Sequence, residues 1–414
     1  MGAEKAGTMS GFPTLPDGWS YSSIGELVEP RGVSYGIVQP GKHDDGGVPI
    51  VRVKDIVNGC VNTWNVLRVN RQVEEKYQRT RLKGGEILLS LVGSVGEVAV
   101  ASDELRGWNV ARAIAVIRPL CPDNTEWMKY CLKGGVARRC MAVWQTNTVQ
   151  ATLNLRDVLR IPVAMPPKLV RTAVVEILGA LENKIAVNDR IVEKSRMLGE
   201  SRFRSEVAVS GWHRSTIAGL ASLLIRGGAP NYVDPPDGMT VINQKCVRHG
   251  RVDLAPARRT LPERVREERV LRLGDVLVNS TGVGTLGRVA RWDRNRDATV
   301  DSHVTIVRFD PAKVVPIVGA FAMLGAQSQL EALGEGSTGQ TELNRAKLGQ
   351  LVLDLPEPKC WPELGDALGK LEATGRARLD ENRTLTELRD TLLPKLVSGQ
   401  IRIKDAERAV EEVV

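Results

Sequence analysis

The chain has 414 residues, 42 % of them apolar and 26 % charged, with a formal net charge of +8 and a pI near 9.2. That length supports two or three domains with separate cores, and the composition argues against a disordered or fibrous protein. The longest apolar run, residues 314–326, contains Pro316, Gly319 and Gly325, so it reads as a buried helix rather than a membrane span.

In chain order, the first 18 residues are polar and Gly/Pro-rich and lack a secretory pattern. Ala6 breaks the myristoylation pattern, so a cytoplasmic setting is expected. Cys60, Cys121, Cys131, Cys140, Cys246 and Cys360 form no close pair and read as reduced thiols. The four histidines are scattered, and no zinc or other metal site is expected. Segments such as "GEILLSLV" (85–92) and "ARAIAVIRP" (111–119) are short apolar runs bounded by turn residues and predict strands. Residues around 127–132 and 314–324 predict helices, giving an α+β block.

After Pro166 and Pro167 the pattern changes. Val170, Val174, Ile177, Leu181, Ile185, Asn188, Ile191 and Leu198 step by threes and fours, and no proline interrupts 168–207. A second run, Leu364, Leu368, Leu371, Arg378, Asn382, Leu385, Leu388 and Leu392, leads up to Pro394. Each predicts a helix of roughly 30–40 residues, about 45–60 Å long. Lone helices of that length need a partner for the apolar stripe, and the obvious partner of each is the other, packed antiparallel.

The two runs belong to a tandem duplication. "TNTVQATLNLRDVLRIPVAMPP" (146–167) matches "GSTGQTELNRAKLGQLVLDLPEP" (336–358), with Thr148/Thr338, Gln150/Gln340, Leu153/Leu343 and Asn154/Asn344 identical at an offset of 190. "WSYSSIGEL" (19–27) meets "WHRSTIAGL" (212–220), and "VKDIVNG" (53–59) meets "QKCVRHG" (244–250). "GEILLSLVGSVGEVAVA" (85–101) meets "GDVLVNSTGVGTLGRVA" (274–290), and "AIAVIRP" (113–119) meets "HVTIVRF" (303–309). Their common order at offsets of 189–193 establishes an internal repeat.

This layout resembles the DNA-specificity (S) subunit of type I restriction–modification systems. The resemblance covers residues 15–403 and rests on "LPDGW" (15–19), the paired Gly-rich stretches, the paired Gln-x-x-Leu-Asn segments, "IPVAMPP" and "LDLPEP" before the helices, and "LPKLVSGQI" (393–401). Two features depart from the pattern. Arg171 stands where a Gln often follows the prolines, and "PEPKCWPEL" (356–364) is irregular. The resemblance implies target-recognition domain 1 at 12–163, conserved helix 1 at 164–208, target-recognition domain 2 at 209–355, conserved helix 2 at 356–400 and a charged tail at 401–414. The fold class is then α+β, with two similar domains, an antiparallel coiled coil and a pseudo-two-fold repeat. It implies a non-catalytic chain that reads a bipartite duplex DNA target and docks two modification (methyltransferase) subunits, with restriction (motor–nuclease) subunits joining them. S-adenosylmethionine, ATP and magnesium are expected only on those partners. The alternatives are a stand-alone nucleic-acid-modifying enzyme and a scaffold that binds no DNA.

The residues themselves speak against catalysis. "DPPD" (234–237) ends in an acid that cannot stack on a flipped base, so it reads as a turn. "GSVGE" and "GVGTLG" lack the Lys and Ser/Thr of a phosphate loop and read as turns between strands. Glu182 and Lys184 read as a solvated pair on a helix. Arginine is concentrated in the middle of each block, and a basic excess favours a polyanion. The candidate DNA contacts are Arg68, Arg71, Arg79, Arg81 and Lys83 in the first block. In the second they are Arg248, Arg251, Arg258, Arg259, Arg264 and Arg266, followed by Arg269 and Arg272. The planar guanidinium fork suits phosphate or the O6/N7 edge of guanine. Asn154 and Asn344, with Gln150 and Gln340, recur in both copies and read as turn or cap residues. With 8 Trp, 5 Tyr and 4 Phe, the chain is poor in the aromatic platforms that hold single strands, which favours a duplex.

Overall fold

The computed structural model describes residues 12–57, 59–147, 151–234, 238–334 and 342–413. Most of the "DPPD" turn, and Thr148, Gln150, Thr338 and Gln340, fall outside them. The chain divides into two compact units, Met1–Ala186 with Arg383–Val414, and Val187–Asn382. The fold is mixed α and β. Among the described residues no helix is long and apolar enough to cross a membrane.

The first unit holds a four-stranded antiparallel sheet in the order Val28–Tyr35, Ile114–Pro119, Ile87–Ser90, Val98–Val100. Beside it lies a three-stranded sheet, Leu67–Val69, Val48–Val51, Asn109–Val110, whose last pair is parallel. Ser20–Ser23 pairs with Pro162–Met165. The inner strands are almost wholly apolar because both faces are covered. "GSVGE" turns the chain between two strands as expected, with Gly93 and Gly96 at φ 78° and 95°. Trp127 and Tyr130, on the helix Thr125–Lys133, join Leu89 and Ile117 in one core. Val174, Leu178, Leu181 and Ile185 of the first long helix, and Leu385, Leu392 and Leu396 of the second, complete that core. The short helix Ile403–Glu411 adds Ala406 to it.

The second unit repeats this plan. Its larger sheet runs Ala221–Arg226, Val304–Phe309, Val276–Asn279, Val289–Arg291. Its smaller sheet runs Tyr232–Val233, Arg258–Thr260, Met239–Ile242, Ala298–Val300, again closing with a parallel pair. His213–Thr216 pairs with Val352–Leu355. The predicted buried helix is present as Pro316–Gly325.

Two long helices, Lys168–Ser210 and Trp361–Val397, each contribute one half to each unit. In the second unit their halves are antiparallel. The Asn188 amide donates to the Asn382 side-chain oxygen at 2.9 Å, and a Cβ added to Gly199 would lie 3.7 Å from Leu368. The sequence reading of the first stripe needs one correction. Val174, Leu178, Leu181, Ile185, Asn188 and Val192 are buried, and the alternation of fours and threes continues through half-buried Ser195 to buried Gly199. Ile177 and Ile191 flank the seam, and Leu198 is 57 % exposed. Gly199 suits its place, since an added Cβ would come within 3.0 Å of the Phe321 ring.

Candidate nucleic-acid interface

The candidate arginines fall into two groups. One group is engaged inside the fold. Arg81 makes a two-point bond to the buried Glu74, with Nε to Oε1 at 2.9 Å and Nη2 to Oε2 at 2.5 Å. That bond, with a further one from Asn109 at 3.0 Å, holds the Glu74 carboxyl below the usual carboxylate range against the pull of burial. Arg251 donates to the Val192 carbonyl at 2.8 Å, tying its strand to the first long helix within the second unit. Arg68 donates to the Gly47 carbonyl at 3.0 Å and Arg259 to the Gly238 carbonyl at 3.1 Å.

The other group lies at the surface. Arg71, Arg79 and Lys83 of the first unit are exposed, as are Arg248, Arg258, Arg264 and Arg266 of the second. Arg79 reaches the Arg31 carbonyl at 3.4 Å, and Arg248 bonds the Lys245 carbonyl at 2.8 Å. Arg266 lies 3.9 Å from Glu268. Arg258 lies over the ring of Tyr232, 4.4 Å from its centroid, on the neighbouring strand of the smaller sheet. Arg269 is only partly exposed and packs near Gly228. These cations offer charge to a polyanion without breaking a core contact, which the first group cannot do.

The repeat is visible in individual bonds. Buried Glu86 and Asp275 stand at matching strand starts and accept the backbone N–H of Lys83 and of Arg272, each at 2.8 Å. Each acid faces an arginine of the central strand, Arg118 at 3.6 Å and Arg308 at 2.7 Å. Leu153 N–H donates to Leu91 O at 2.9 Å, and Leu343 N–H to Ser280 O at 2.8 Å. Asn344 caps its helix by accepting from Ala346 N–H at 2.7 Å, while Asn154 occupies the same cap position without a side-chain bond. Among the described residues, no group of three or more His, Cys, Asp or Glu is arranged to hold a metal.

With this geometry in view, residues 16–194 match the family model described as the type I restriction modification DNA specificity domain. The chain is similar to the EcoBI specificity subunit of Escherichia coli, a type I restriction enzyme subunit, at 26 % identity over 154 residues. That alignment takes in 37 % of this chain and 32 % of the relative, so the chain spans about a third of the curated relative it matches. The fold is similar to the crystal structure of a type I restriction–modification S subunit from M. genitalium. The TM-score is 0.55 at 13 % identity, over 91 % of this chain and 96 % of that one. The matched segment takes in the first unit's two sheets and the first part of the helix Lys168–Ser210, and the second unit repeats its strand order.

Two exposed aromatics escape a reading that looks only for charge. Trp64 is 86 % exposed, and Tyr232 is 45 % exposed beneath Arg258. A signal for Trp64 does exist in the sequence, because the repeat sets it opposite Ala255.

Proposed function

We propose that this chain is the sequence-recognition subunit of a type I restriction–modification complex. In this reading each unit recognises one half of a bipartite, asymmetric duplex target. The paired helices set the gap between the halves and dock two modification subunits, and restriction subunits complete the assembly in the cytoplasm. The chain contributes position and sequence choice. S-adenosylmethionine, ATP and magnesium belong to the partners.

One observation carries the reading: the frame whose first copy matches a DNA specificity domain model is built twice, and the surface residues on it differ between the copies. Two like platforms with unlike side chains suit a target with two unlike halves. The net charge of +8 supplies the sequence-independent attraction to phosphate.

Salt separates this reading from a scaffold. Affinity of the full chain for duplex DNA should fall by about 10³ between ~50 and ~200 mM salt if roughly six phosphates are neutralised. A flat response would favour the scaffold. Labelled S-adenosylmethionine separates it from an enzyme, since methyl transfer by the purified chain without a partner would overturn the assignment.

A further inference from the structure

The two units build one strand–turn–strand connection alike, leading from a two-stranded ribbon into the smaller sheet. Cys60–Val61 leads through a turn to Leu67–Val69 in the first, and Arg251–Val252 leads to Arg258–Thr260 in the second. Each turn is set by an Asx side chain accepting the backbone N–H two residues on. Asn62 accepts from Trp64 at 2.9 Å, and Asp253 from Ala255 at 2.9 Å. The glycines bonded by Arg68 and Arg259 approach the second strand of the connection so closely that an added Cβ would collide with the carbonyl of Val69 or of Thr260. These shared contacts form a frame, and a shared frame cannot distinguish two different half-sites.

Two of the differences between these segments bear on recognition. Where the first unit has Trp64, the second has Ala255, and where the first has Leu67, the second has Arg258. Trp64 stands almost fully in water on a braced turn. Arg52 holds Asp55 with Nε at 2.8 Å and donates from Nη2 to the Asn65 carbonyl at 3.0 Å, while Asn65 takes a φ of 55°. Arg258 is held differently. It stacks on Tyr232, and among the described residues none accepts a hydrogen bond from its guanidinium. Stacking limits the rotamers of the fork while leaving its donors unused, which is the preparation a bidentate base contact requires.

We infer that this connection is the base-reading element of both units, with Trp64 the apolar contact to one half-site and the Arg258–Tyr232 pair the reader of the other. The assignment rests on the DNA-recognition reading above. An indole on a rigid tip can wedge against a base step, and a stacked arginine can grip guanine O6 and N7.

The test uses the tagged full chain, purified from its own host with the subunits that accompany it. Random-sequence duplexes are selected on it and sequenced. The parent should select a motif in two parts. Trp64→Ala should lower base discrimination about ten-fold or more in one part only, and Arg258→Leu should do the same in the other part, at a guanine. Trp64→Phe and Arg258→Lys should recover part of each loss. Arg264→Ala, off this connection, should weaken all sequences alike. If Trp64→Ala and Arg258→Leu melt as the parent does and select the parent motif undiminished, the connection is not the reader. Trp64→Ala losing its companion subunits with the motif intact would make Trp64 a protein contact and overturn its role. A parent that selects no motif at all would remove the proposed function itself, and this assignment with it.

Discussion

Glu182 accepts from Lys129 Nζ at 2.7 Å, Lys133 Nζ at 3.0 Å and the Tyr130 hydroxyl at 3.0 Å, fastening the globular part of the first unit to its helix pair. The sequence presents Glu182 with Lys184 as a solvated pair. The structure corrects this, because residues two apart on a helix point to different sides and Glu182 is turned into the protein. Burial pushes its carboxyl up, but Lys133 and Lys129 outweigh that and hold it below the ordinary carboxylate value. A carboxyl lowered on folding contributes stability above its unfolded value, roughly pH 4.3, and loses it as pH falls through the folded value. Glu182→Gln should therefore cost about 3–5 kcal/mol near pH 7, and that penalty should shrink on acidification below about pH 4. Urea denaturation of parent and variant across pH checks this, and a penalty independent of pH contradicts the ionic account. Charge pairs along one helix can be read from sequence, but the partners of Glu182 lie some fifty residues away on a helix whose placement only the fold decides.

At the scale of elements, the long helices are the most legible part of the chain. The second stripe, Leu364 through Leu392, is buried largely as its periodicity predicts. The first slips toward Ile177, Ile191 and Leu198 because apolar neighbours flank the true seam, and a glycine, with no side chain to announce it, takes the inward place at 199. Asn188 and Asn382 are buried members of the two stripes and meet each other within the second unit. Asn382 also donates to Asp189 at 2.8 Å. A polar pair in an apolar seam selects register at some expense of stability. Asn382→Leu alone leaves the Asn188 amide without that acceptor and should cost about 1–3 kcal/mol. Changing both to Leu should recover most of the loss, giving a coupling of about 1 kcal/mol or more in a double-mutant cycle followed by chemical denaturation. Additive losses would show that the two amides do not act as a pair.

For the whole molecule, the duplication is legible from end to end, since matched landmarks in the sequence become matched strands and matched bonds. The candidate site is less so. Arginine density marks the right region, but it cannot tell Arg68, Arg81, Arg251 and Arg259, which are engaged internally, from exposed Arg258 and Arg264, because that division depends on carbonyls and acids brought up by other strands. If helix length sets the gap between half-sites, seven residues added after Leu181 and seven after Leu371 keep the stripes in phase. Each helix lengthens by about 10 Å, which corresponds to about three base pairs of duplex at ~3.4 Å each. Both half-site sequences should stay as they are while the methylated motif gains up to about three spacer pairs. An active variant with the parent spacer would leave the helices as a docking surface only.

The central claim is that two equivalent units read two separate half-sites. It is tested most directly by exchanging residues 15–160 for the corresponding region of a relative with a different target, and sequencing the methylated positions in cells that carry the system. The account predicts that one half of the motif changes to that of the donor while the other half and the spacer stay as in the parent. A motif that changes in both halves, or in neither, from a chain that still directs methylation, would contradict it.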